Sequence, residues 1–547
     1  MNHSTGTKSP TLECLVLGHY NLGFDYHEGI FRAKGSNSPD YRTLRMDFIS
    51  LNDRKLPYLD VLNLLTGQQL HWTEMPQVAP VYLTSFLKHL GIRAKFATFF
   101  PAKRAELSEL LSQKPRVVAI TTTLYLTPHV AKEVVKFTRE ASPESCIVVG
   151  GPLMDNLSFF VEEGSLEEED HRLLLEEIGA DVYVQQRQGE QTLANLIMRL
   201  REGGELSKVK NCYVKWQGRF VYTGSESEFT LAPINWDNYK DIELGETLQT
   251  RTALSCPFRC TFCDFPLRAG KWVPQDIAGV ERELRQVQER SDVRNLVFID
   301  DTFNVPVDRF KTILQMMIRN EFTFRWYSYL RCNVVDEELC DLMSKSNCAG
   351  VFLGIESGDL GVLKIMKKAT TPEQYLRGMK LLKANGIMTF ASLIAGFPGE
   401  TQRSFDNTIQ LLQEAQPTFF RGELWFNNSR APIFKSKDVH GIEGFGYKWR
   451  HNTMEWEEGC DLVIKLFKEV TDSTWLPMYD FDFWILPYLE GKGVSLEDIK
   501  RYINACNDLL AEELGVSRGG ALVDRASAES ELRQICNEIR LKNFEGR

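Results

Sequence analysis

The sequence predicts an α/β protein with two parallel-sheet units in succession and a helical C-terminal region. The main observation is that short apolar segments alternate with helical segments twice, first before residue 200 and again between residues 247 and 435. Such alternation is typical of right-handed βαβ units, which build parallel sheets. A second observation is the length of 547 residues, which corresponds to about three to four domains.

The first unit is predicted to be a doubly wound, Rossmann-like sheet over residues 76–200. Residues 1–75 supply a short buried strand and an aperiodic extension, which we expect to pack on this unit. Predicted strands lie at residues 12–18, 94–100, 117–122, 146–149 and 180–184, and predicted helices at residues 80–90, 103–113, 128–140 and 193–200. A ligand of such a sheet lies beyond the carboxyl ends of its strands.

The second unit is predicted to be a partial (β/α)6 TIM barrel over residues 247–435, reached through a connector at 201–246 that contains a small hairpin. Its predicted strands lie near residues 248–255, 295–301, 324–330, 350–357, 388–396 and 418–426. By analogy with full barrels, the chemistry should lie at the C-terminal ends of these strands. Residues 436–547 are predicted to form a helical cap domain, whose aromatic run Tyr479–Trp484 favours a core, with pocket lining as the alternative.

Charge and composition exclude several classes of protein. The chain has 64 basic and 74 acidic residues, a net charge of −10, and no basic stripe, so we expect no nucleic-acid partner. It has no run of 18 or more apolar residues, which indicates no membrane span. The polar N-terminus lacks the apolar segment of a secretory signal. We therefore expect a cytoplasmic protein.

Three of the twelve cysteines lie on one loop directly after the first strand of the second unit: Cys256, Cys260 and Cys263. Thiolates at this spacing can hold an iron–sulfur cluster or zinc. A structural zinc ion takes four protein ligands, and no histidine lies between His171 and His440. On a four-iron cluster, three thiolates leave one iron open to a small molecule. A zinc site with a remote fourth ligand and three structural thiols remain the alternatives.

The other nine cysteines are scattered singly. Cys332, Cys340 and Cys348 are spaced eight apart, which allows an auxiliary cluster. Buried thiols are the favoured interpretation, because Cys340 falls in an amphipathic helix.

The pattern C-x3-C-x-aromatic-C, with Phe262 at the aromatic position, resembles the radical S-adenosylmethionine (SAM) superfamily. The resemblance extends over about residues 247–430 and includes the strand ends Asp300-Asp301, Glu356-Ser357 and Gly396-Phe397-Pro398-Gly399. It implies that the cysteines hold a 4Fe-4S cluster and are catalytic, and that SAM meets the following residues: Phe262, Asp300, Asp301, Ser328, Arg331, Glu356, Ser357 and Gly396. A carboxylate such as Asp301 would neutralise the SAM amine, and Arg331 would pair with its carboxylate. An N-cap, a surface ion pair and a simple turn are the ordinary alternatives.

The first unit resembles the cobalamin-binding domain of B12-dependent radical SAM proteins. Small residues at its strand ends let a flat corrin approach the backbone. The resemblance implies the following cobalamin contacts: Gly18, His19, Thr121, Thr122, Thr123, Tyr125, Gly150, Gly151, Pro152, Gly189, Glu190 and Thr192. The Asp-x-His-x-x-Gly motif, whose histidine binds cobalt in other B12 proteins, is absent, which implies a cobalt without a histidine ligand. A B12-free nucleotide fold is the alternative.

The whole layout resembles the radical SAM phosphorus methyltransferases of phosphinothricin-type biosynthesis. This resemblance implies transfer of a methyl group from methylcobalamin, recharged by SAM, to an unactivated carbon or a phosphinate phosphorus. The substrate would be a natural product or a peptide, and the electrons would come from a flavodoxin- or ferredoxin-type donor. The alternatives are a B12-dependent radical SAM cyclase or ring-rearranging enzyme without methyl transfer, and a binding module without activity.

Overall fold

The structure is a computed structural model that describes residues 12–18, 22–97, 104–123, 125, 127–227, 231–479, 481–520 and 522–545. The chain forms two compact units. The first comprises the described residues of Met1–Leu22, Thr73–Glu243 and Arg282–Val287, and the second those of Gly23–Trp72, Leu244–Glu281 and Gln288–Arg547. None of the described helices is long and apolar enough to span a bilayer.

The strands in chain order are β1 (Cys14–Leu17), β2 (Phe48–Leu51), β3 (Arg54–Pro57), β4 (Ala94–Ala97), β5 (Val117–Thr121), β6 (Cys146–Gly150), β7 (Val182–Val184), β8 (Cys212–Trp216), β9 (Arg219–Tyr222), β10 (Thr247–Thr250), β11 (Ala253–Leu254), β12 (Val273–Pro274), β13 (Asn295–Phe298), β14 (Arg325–Leu330), β15 (Cys348–Glu356), β16 (Met388–Ala395), β17 (Phe419–Leu424), β18 (Glu443–Phe445), β19 (Lys448–His451), β20 (Met454–Glu455) and β21 (Thr474–Trp475).

The α-helices in chain order are α1 (Phe24–Ala33), α2 (Pro39–Leu44), α3 (Tyr58–Thr66), α4 (Val78–His89), α5 (Arg104–Ser112), α6 (Pro128–Ala141), α7 (Pro152–Glu162), α8 (Glu168–Ile178), α9 (Glu190–Arg201), α10 (Phe265–Ala269), α11 (Ile277–Gln288), α12 (Val307–Arg319), α13 (Glu337–Lys345), α14 (Leu360–Ile365), α15 (Pro372–Ala384), α16 (Gln402–Ala415), α17 (Lys437–His440), α18 (Trp456–Glu469), α19 (Ile485–Gly491), α20 (Leu496–Leu514) and α21 (Arg525–Asn543).

The first unit is an α/β sheet of order β4-β1-β5-β6-β7-β8-β9. Strands β4, β1, β5, β6 and β7 pair in parallel, and β8 and β9 add an antiparallel hairpin. The chain order reverses at β1, which is next to both β4 and β5, so the ligand-binding position of such a sheet lies at the carboxyl ends of these strands. Apolar side chains are buried on both faces of the sheet, with Leu15 and Val118 in one cluster and Val16 and Ala119 in another.

The predicted connector at 201–246 is part of this sheet. The hairpin β8–β9 pairs with β7 through Val182 and Val214, so the first unit extends beyond the predicted end at residue 200. The alternating pattern of the hairpin is visible in the sequence. The residues of the hairpin do not, however, show which strand of the sheet it pairs with.

The second unit contains the sheet β10-β13-β14-β15-β16-β17-β21, in which all neighbouring strands are parallel. The first six strands of this order match the predicted strands. Strand β21 was not predicted, because its two residues lie in a region that we assigned to a helical cap. That region also contains the antiparallel sheet β18–β20, and its helices share one compact unit with the barrel.

The prediction that residues 1–75 pack on the first unit is wrong for residues 23–72. This segment belongs to the barrel unit. Asp47 pairs with Arg421 of β17 at 2.8 Å, and the backbone N–H of Ser50 donates to the Glu513 carboxylate at 2.6 Å. These contacts join positions several hundred residues apart, so no periodicity in the segment itself could reveal them.

Candidate cluster and cofactor sites

The cysteine loop begins directly after β11. Ser255 has a φ of +65°, a strained conformation for a residue with a side chain, and such residues concentrate at functional sites. The Thr261 backbone N–H donates to the Met366 carbonyl at 2.9 Å, and its hydroxyl donates to the Ile365 carbonyl at 2.7 Å. The loop that carries the three thiols is therefore tethered to the end of α14.

The thiols differ in their surroundings. Cys260 is only 8 % exposed, and burial raises its pKa while the positive charges of Lys368 and Arg331 oppose this shift. Burial raises the pKa of Cys263 to about 12. The Cys256 sulfur lies 3.4 Å from the Thr302 hydroxyl. The raised pKa values of Cys260 and Cys263 describe the metal-free protein. A thiol that coordinates a metal ion loses its proton, so these thiols would ionise when they bind iron.

The donor set fits an iron–sulfur cluster better than a zinc ion. The loop offers three thiols, Cys256, Cys260 and Cys263. A structural zinc ion takes four protein ligands, whereas three thiolates can hold a four-iron cluster and leave one iron open. All three donors are soft thiolates on one loop, which is the ligand type that clusters use.

Two carboxylates follow β13, and they differ in whether a ligand can reach them. Asp300 is buried and accepts hydrogen bonds from the Thr252 backbone N–H and hydroxyl, both at 2.8 Å. Asp301 is exposed to solvent, yet it is crowded by protein. Partial desolvation and the charge of Asp300 raise the pKa of Asp301 to about 7, against the opposing charges of Arg251 and Arg268. The Asp300 carboxylate is thus occupied by hydrogen bonds within the protein, and Asp301 is the carboxylate that a ligand can reach.

Arg331 and Glu356 are joined by a residue that the sequence did not single out, Lys368. The Lys368 ammonium lies 3.2 Å from a Glu356 oxygen and donates to the Gly354 carbonyl at 2.8 Å. Arg331 donates to the Lys368 carbonyl, and its guanidinium stacks 3.9 Å from the centre of the Phe258 ring. The ammonium also lies 5.6 Å from the centre of the Phe262 ring. Nothing in the sequence around Lys368 marks it, because its partners come from three other segments.

The strand ends of β15 and β16 are turns with special backbone geometry. Glu356 has a φ of +64°. Gly396 has a φ of +81°, and a Cβ there would lie 2.5 Å from the Trp449 ring. Its N–H donates to Glu400 at 2.6 Å, and its carbonyl contacts the His451 imidazole at 3.1 Å. Burial raises the pKa of Glu400 to about 8.

Two predicted SAM contacts lie in different surroundings. Ser328 is fully buried within β14, and its hydroxyl has no hydrogen-bond partner among the described residues. The Ser357 hydroxyl accepts a hydrogen bond from the Asp359 backbone N–H at 3.1 Å and lies 3.4 Å from the Thr408 hydroxyl. Phe262 packs edge-on against Phe397, with ring centres 6.4 Å apart.

In the first unit, the predicted cobalamin contacts at the ends of β1, β5 and β6 lie together. The Thr121 hydroxyl donates to the Leu17 carbonyl at 3.0 Å, and the Tyr125 hydroxyl donates to the Gly18 carbonyl at 3.3 Å. The Thr122 hydroxyl donates to the Gly150 carbonyl at 2.9 Å. His19 lies outside the described residues, and Thr123 lies in the turn after β5.

The remaining contacts predicted for this unit surround β7 and the starts of two helices. A Cβ on Gly150 or on Gly189 would lie 3.2 or 3.1 Å from the Val184 side chain, so packing alone favours glycine at both positions. Pro152 opens α7 and Glu190 opens α9. The Thr192 hydroxyl donates to Gln186 at 2.5 Å. Gly151 has a φ of +107°, and a Cβ there would meet the Thr122 hydroxyl at 3.0 Å.

The three cysteines that are spaced eight residues apart are buried thiols. Cys332, Cys340 and Cys348 are all buried, and burial raises the pKa of each of them. An apolar setting of this kind suits a small hydrophobic side chain.

Residues 252–412 match the family model of the Radical SAM superfamily, so this part of the chain is a radical SAM domain. The chain is 26 % identical over 314 residues to an uncharacterized methyltransferase of Pyrococcus horikoshii, which covers 55 % of this chain and 64 % of that protein. It is 25 % identical over 367 residues to the anaerobic magnesium-protoporphyrin IX monomethyl ester cyclase of Rubrivivax gelatinosus, which covers 62 % of each chain. The chain thus spans less than two thirds of the length of either relative.

Among solved structures, the chain is similar to the radical S-adenosylmethionine methyltransferase TsrM of Kitasatospora setae, which was solved with cobalamin and a 4Fe-4S cluster bound. The TM-score is 0.56 at 16 % identity, over 86 % of this chain and 97 % of that one. This likeness shows the fold. The family model confirms the predicted resemblance of this part of the chain to radical SAM proteins, and the structural likeness confirms the predicted α/β fold class.

Proposed function

We propose that the protein is a cobalamin-dependent radical SAM methyltransferase that acts on an unactivated carbon or a phosphinate phosphorus of a natural product or peptide. The observation that carries the proposal is the tethered loop with three thiols at the mouth of a radical SAM domain. A doubly wound unit with small residues at its strand ends supports the cobalamin part. The similar structure that binds cobalamin and a cluster also supports it.

Cys256, Cys260 and Cys263 would hold the cluster, and Lys368 and Arg331 would offset its negative charge. When bound, the reduced cluster supplies the electron that cleaves SAM, and cobalamin carries the methyl group. Asp301 would meet the SAM amine, because it is the accessible carboxylate at the end of β13. The chain's own contribution is to position these groups and to exclude side reactions. The electrons would come from a flavodoxin- or ferredoxin-type donor.

The experiment that tests the cluster is the variant Cys260→Ala, reconstituted with iron and sulfide without oxygen. We expect loss of the cluster absorbance and of 5′-deoxyadenosine formation from SAM, because removal of one of three thiolates leaves two protein ligands. The matched control is Cys340→Ala, which removes a buried thiol outside the loop and should leave both readouts intact. Unchanged 5′-deoxyadenosine formation in Cys260→Ala would refute the cluster assignment.

A second candidate function is a B12-dependent radical SAM cyclase or ring-rearranging enzyme, which the similarity to the Rubrivivax gelatinosus cyclase favours. Product mass separates the two functions. Methyl transfer adds one methyl group per product, and a cyclase adds none. A product formed without a methyl gain would contradict the methyltransferase proposal and support the cyclase.

A further inference from the structure

Strand β17 carries a charged pair at its carboxyl end. Arg421 and Glu423 lie two residues apart and therefore on the same face of the strand. The Arg421 guanidinium is 1 % exposed and donates to a Glu423 oxygen at 2.5 Å. On its other side it pairs with Asp47 at 2.8 Å and stacks 4.5 Å from the centre of the Trp475 ring. The guanidinium is thus fixed by two carboxylates and an aromatic ring.

This trio contains two carboxylates and one guanidinium, so it carries a net charge of −1 when all three groups are ionised. The Asp47 side chain is only 8 % exposed and accepts a hydrogen bond from the Met478 backbone N–H at 2.8 Å. The Glu423 side chain is 31 % exposed. The excess negative charge is therefore accessible at Glu423 and not at Asp47.

Glu423 has an apolar neighbour on the next strand and an aromatic residue nearby. Its register partner on β16 is Ile394, which keeps partial exposure. Tyr447 lies close enough for the charge of Glu423 to raise the pKa of its phenol, in addition to the effect of burial. Phe426 is 47 % exposed, and its ring centre lies 5.1 Å from that of Tyr447. A carboxylate beside such residues suits an ammonium group on an apolar body, through an ion pair and cation–π contacts.

Because the strands of this sheet are parallel, Glu423 lies at the same edge as the cysteine loop and Asp301. We propose that Glu423 binds a protonated amine of the substrate, and that the substrate class is an amine with an apolar or aromatic body. This inference rests on the proposed function, since it names the substrate class of the same barrel.

The test measures binding of two matched probes to the reconstituted full chain by calorimetry. Phenethylamine carries an ammonium on a phenyl ring, and 3-phenylpropionate carries a carboxylate on the same ring. We expect phenethylamine to bind with a Kd of about 1 mM or tighter and at least tenfold more tightly than the anion. In Glu423→Gln its affinity should fall about ten- to a hundredfold, the range for hydrogen bonds to charged groups.

Two further variants make the result specific. Glu423→Asp keeps the charge and should retain the preference for the amine. Glu443→Gln removes an exposed carboxylate of β18 that pairs with Arg450 at 2.6 Å, and it should bind phenethylamine like the wild type. Circular dichroism melts show whether each variant is folded.

The inference is overturned if the wild type binds neither probe, if it prefers the anion, or if Glu423→Gln keeps the preference for the amine. SAM cleavage is measured on the same preparations. A wild-type chain that binds the amine but does not cleave SAM would contradict the proposed function and leave the amine site standing.

Discussion

At the scale of single residues, Asp301 gives a pH prediction. Its pKa is raised to about 7, above the ordinary value of 3.8, so the carboxyl is largely neutral below pH 7. A neutral carboxyl cannot pair with the SAM ammonium. We therefore expect the affinity for SAM to rise as the pH rises through about 7, by about tenfold between pH 6 and pH 7.5.

The measurement is equilibrium binding of SAM to the reconstituted protein at a series of pH values, compared with Asp301→Asn. The amide does not titrate, so the variant should bind SAM weakly and lose this pH dependence. An unchanged pH profile in Asp301→Asn would show that another group controls SAM binding. Asp300→Asn is not a suitable control, because its carboxylate holds Thr252 by two hydrogen bonds.

The sequence predicts some of the candidate site residues and gives no sign of others. The three cysteines and Asp301 are marked by spacing and by their positions at strand ends. Lys368 and Glu423 are not, because their surroundings are formed in the fold. Lys368 contacts Glu356 and Phe262, and the Arg421 guanidinium that binds Glu423 is also paired with Asp47. Ser328 stays a prediction, since its burial within β14 does not show whether its hydroxyl meets SAM.

At the scale of elements, we expect replacement of glycine by alanine to have opposite effects on stability at two helical positions. A Cβ on Gly29 in α1 would meet no heavy atom of another part of the described chain within 4 Å, whereas a Cβ on Gly378 in α15 would lie 2.1 Å from the Cys332 carbonyl oxygen. Alanine is favoured over glycine in a helix by about 1 kcal/mol. Gly29→Ala should therefore stabilise the second unit by up to about 1 kcal/mol.

In Gly378→Ala the clash is with backbone, which cannot swing aside. We expect a loss of about 1–3 kcal/mol, as for other overpacked sites, and a shift of the adjacent Arg331. Both variants are compared by chemical denaturation, with the unfolding of the second unit followed by tryptophan fluorescence. Equal effects of the two substitutions would show that helix propensity, and not packing against Cys332, controls these positions.

Element boundaries were predictable where the signals are local. Helix α15 is an example, because its start is marked by Thr371 and Gln374, which form a capping box, and by Pro372 at the first helical position. Strand β21 has two residues, too few for any period to be visible. It exists because Phe419 and Phe420 of β17 offer it a free edge, which is a property of the assembled sheet.

At the scale of the whole molecule, the two parallel sheets followed from the alternation of strands with helices, but the position of residues 23–72 did not. That segment is held by contacts such as Tyr58 with Asn507 at 3.0 Å. Long-range polar contacts of this kind leave no periodic trace in either partner. The division into units is therefore a result of tertiary structure and is only partly visible in composition.

The division also makes a prediction, because the candidate cobalamin and cluster residues belong to different compact units. A Cβ on Gly151 would meet Thr122 at 3.0 Å, in a backbone conformation of φ +107° that favours glycine. Gly151→Val should therefore abolish uptake of aquocobalamin, measured by gel filtration, while the cluster absorbance persists. Gly164→Val is the matched control, since Gly164 also has a positive φ of +78° but open space around it, and this variant should retain both cobalamin uptake and the cluster.

Cys260→Ala should give the reciprocal result, with cobalamin uptake intact and the cluster absent. Each unit buries its own core, so damage at one site should not unfold the other, as expected for domains with separate cores. Loss of both groups in Gly151→Val or in Cys260→Ala would show that the two units fold as one cooperative body. Retention of cobalamin in Gly151→Val would instead place the corrin away from the β5–β6 edge.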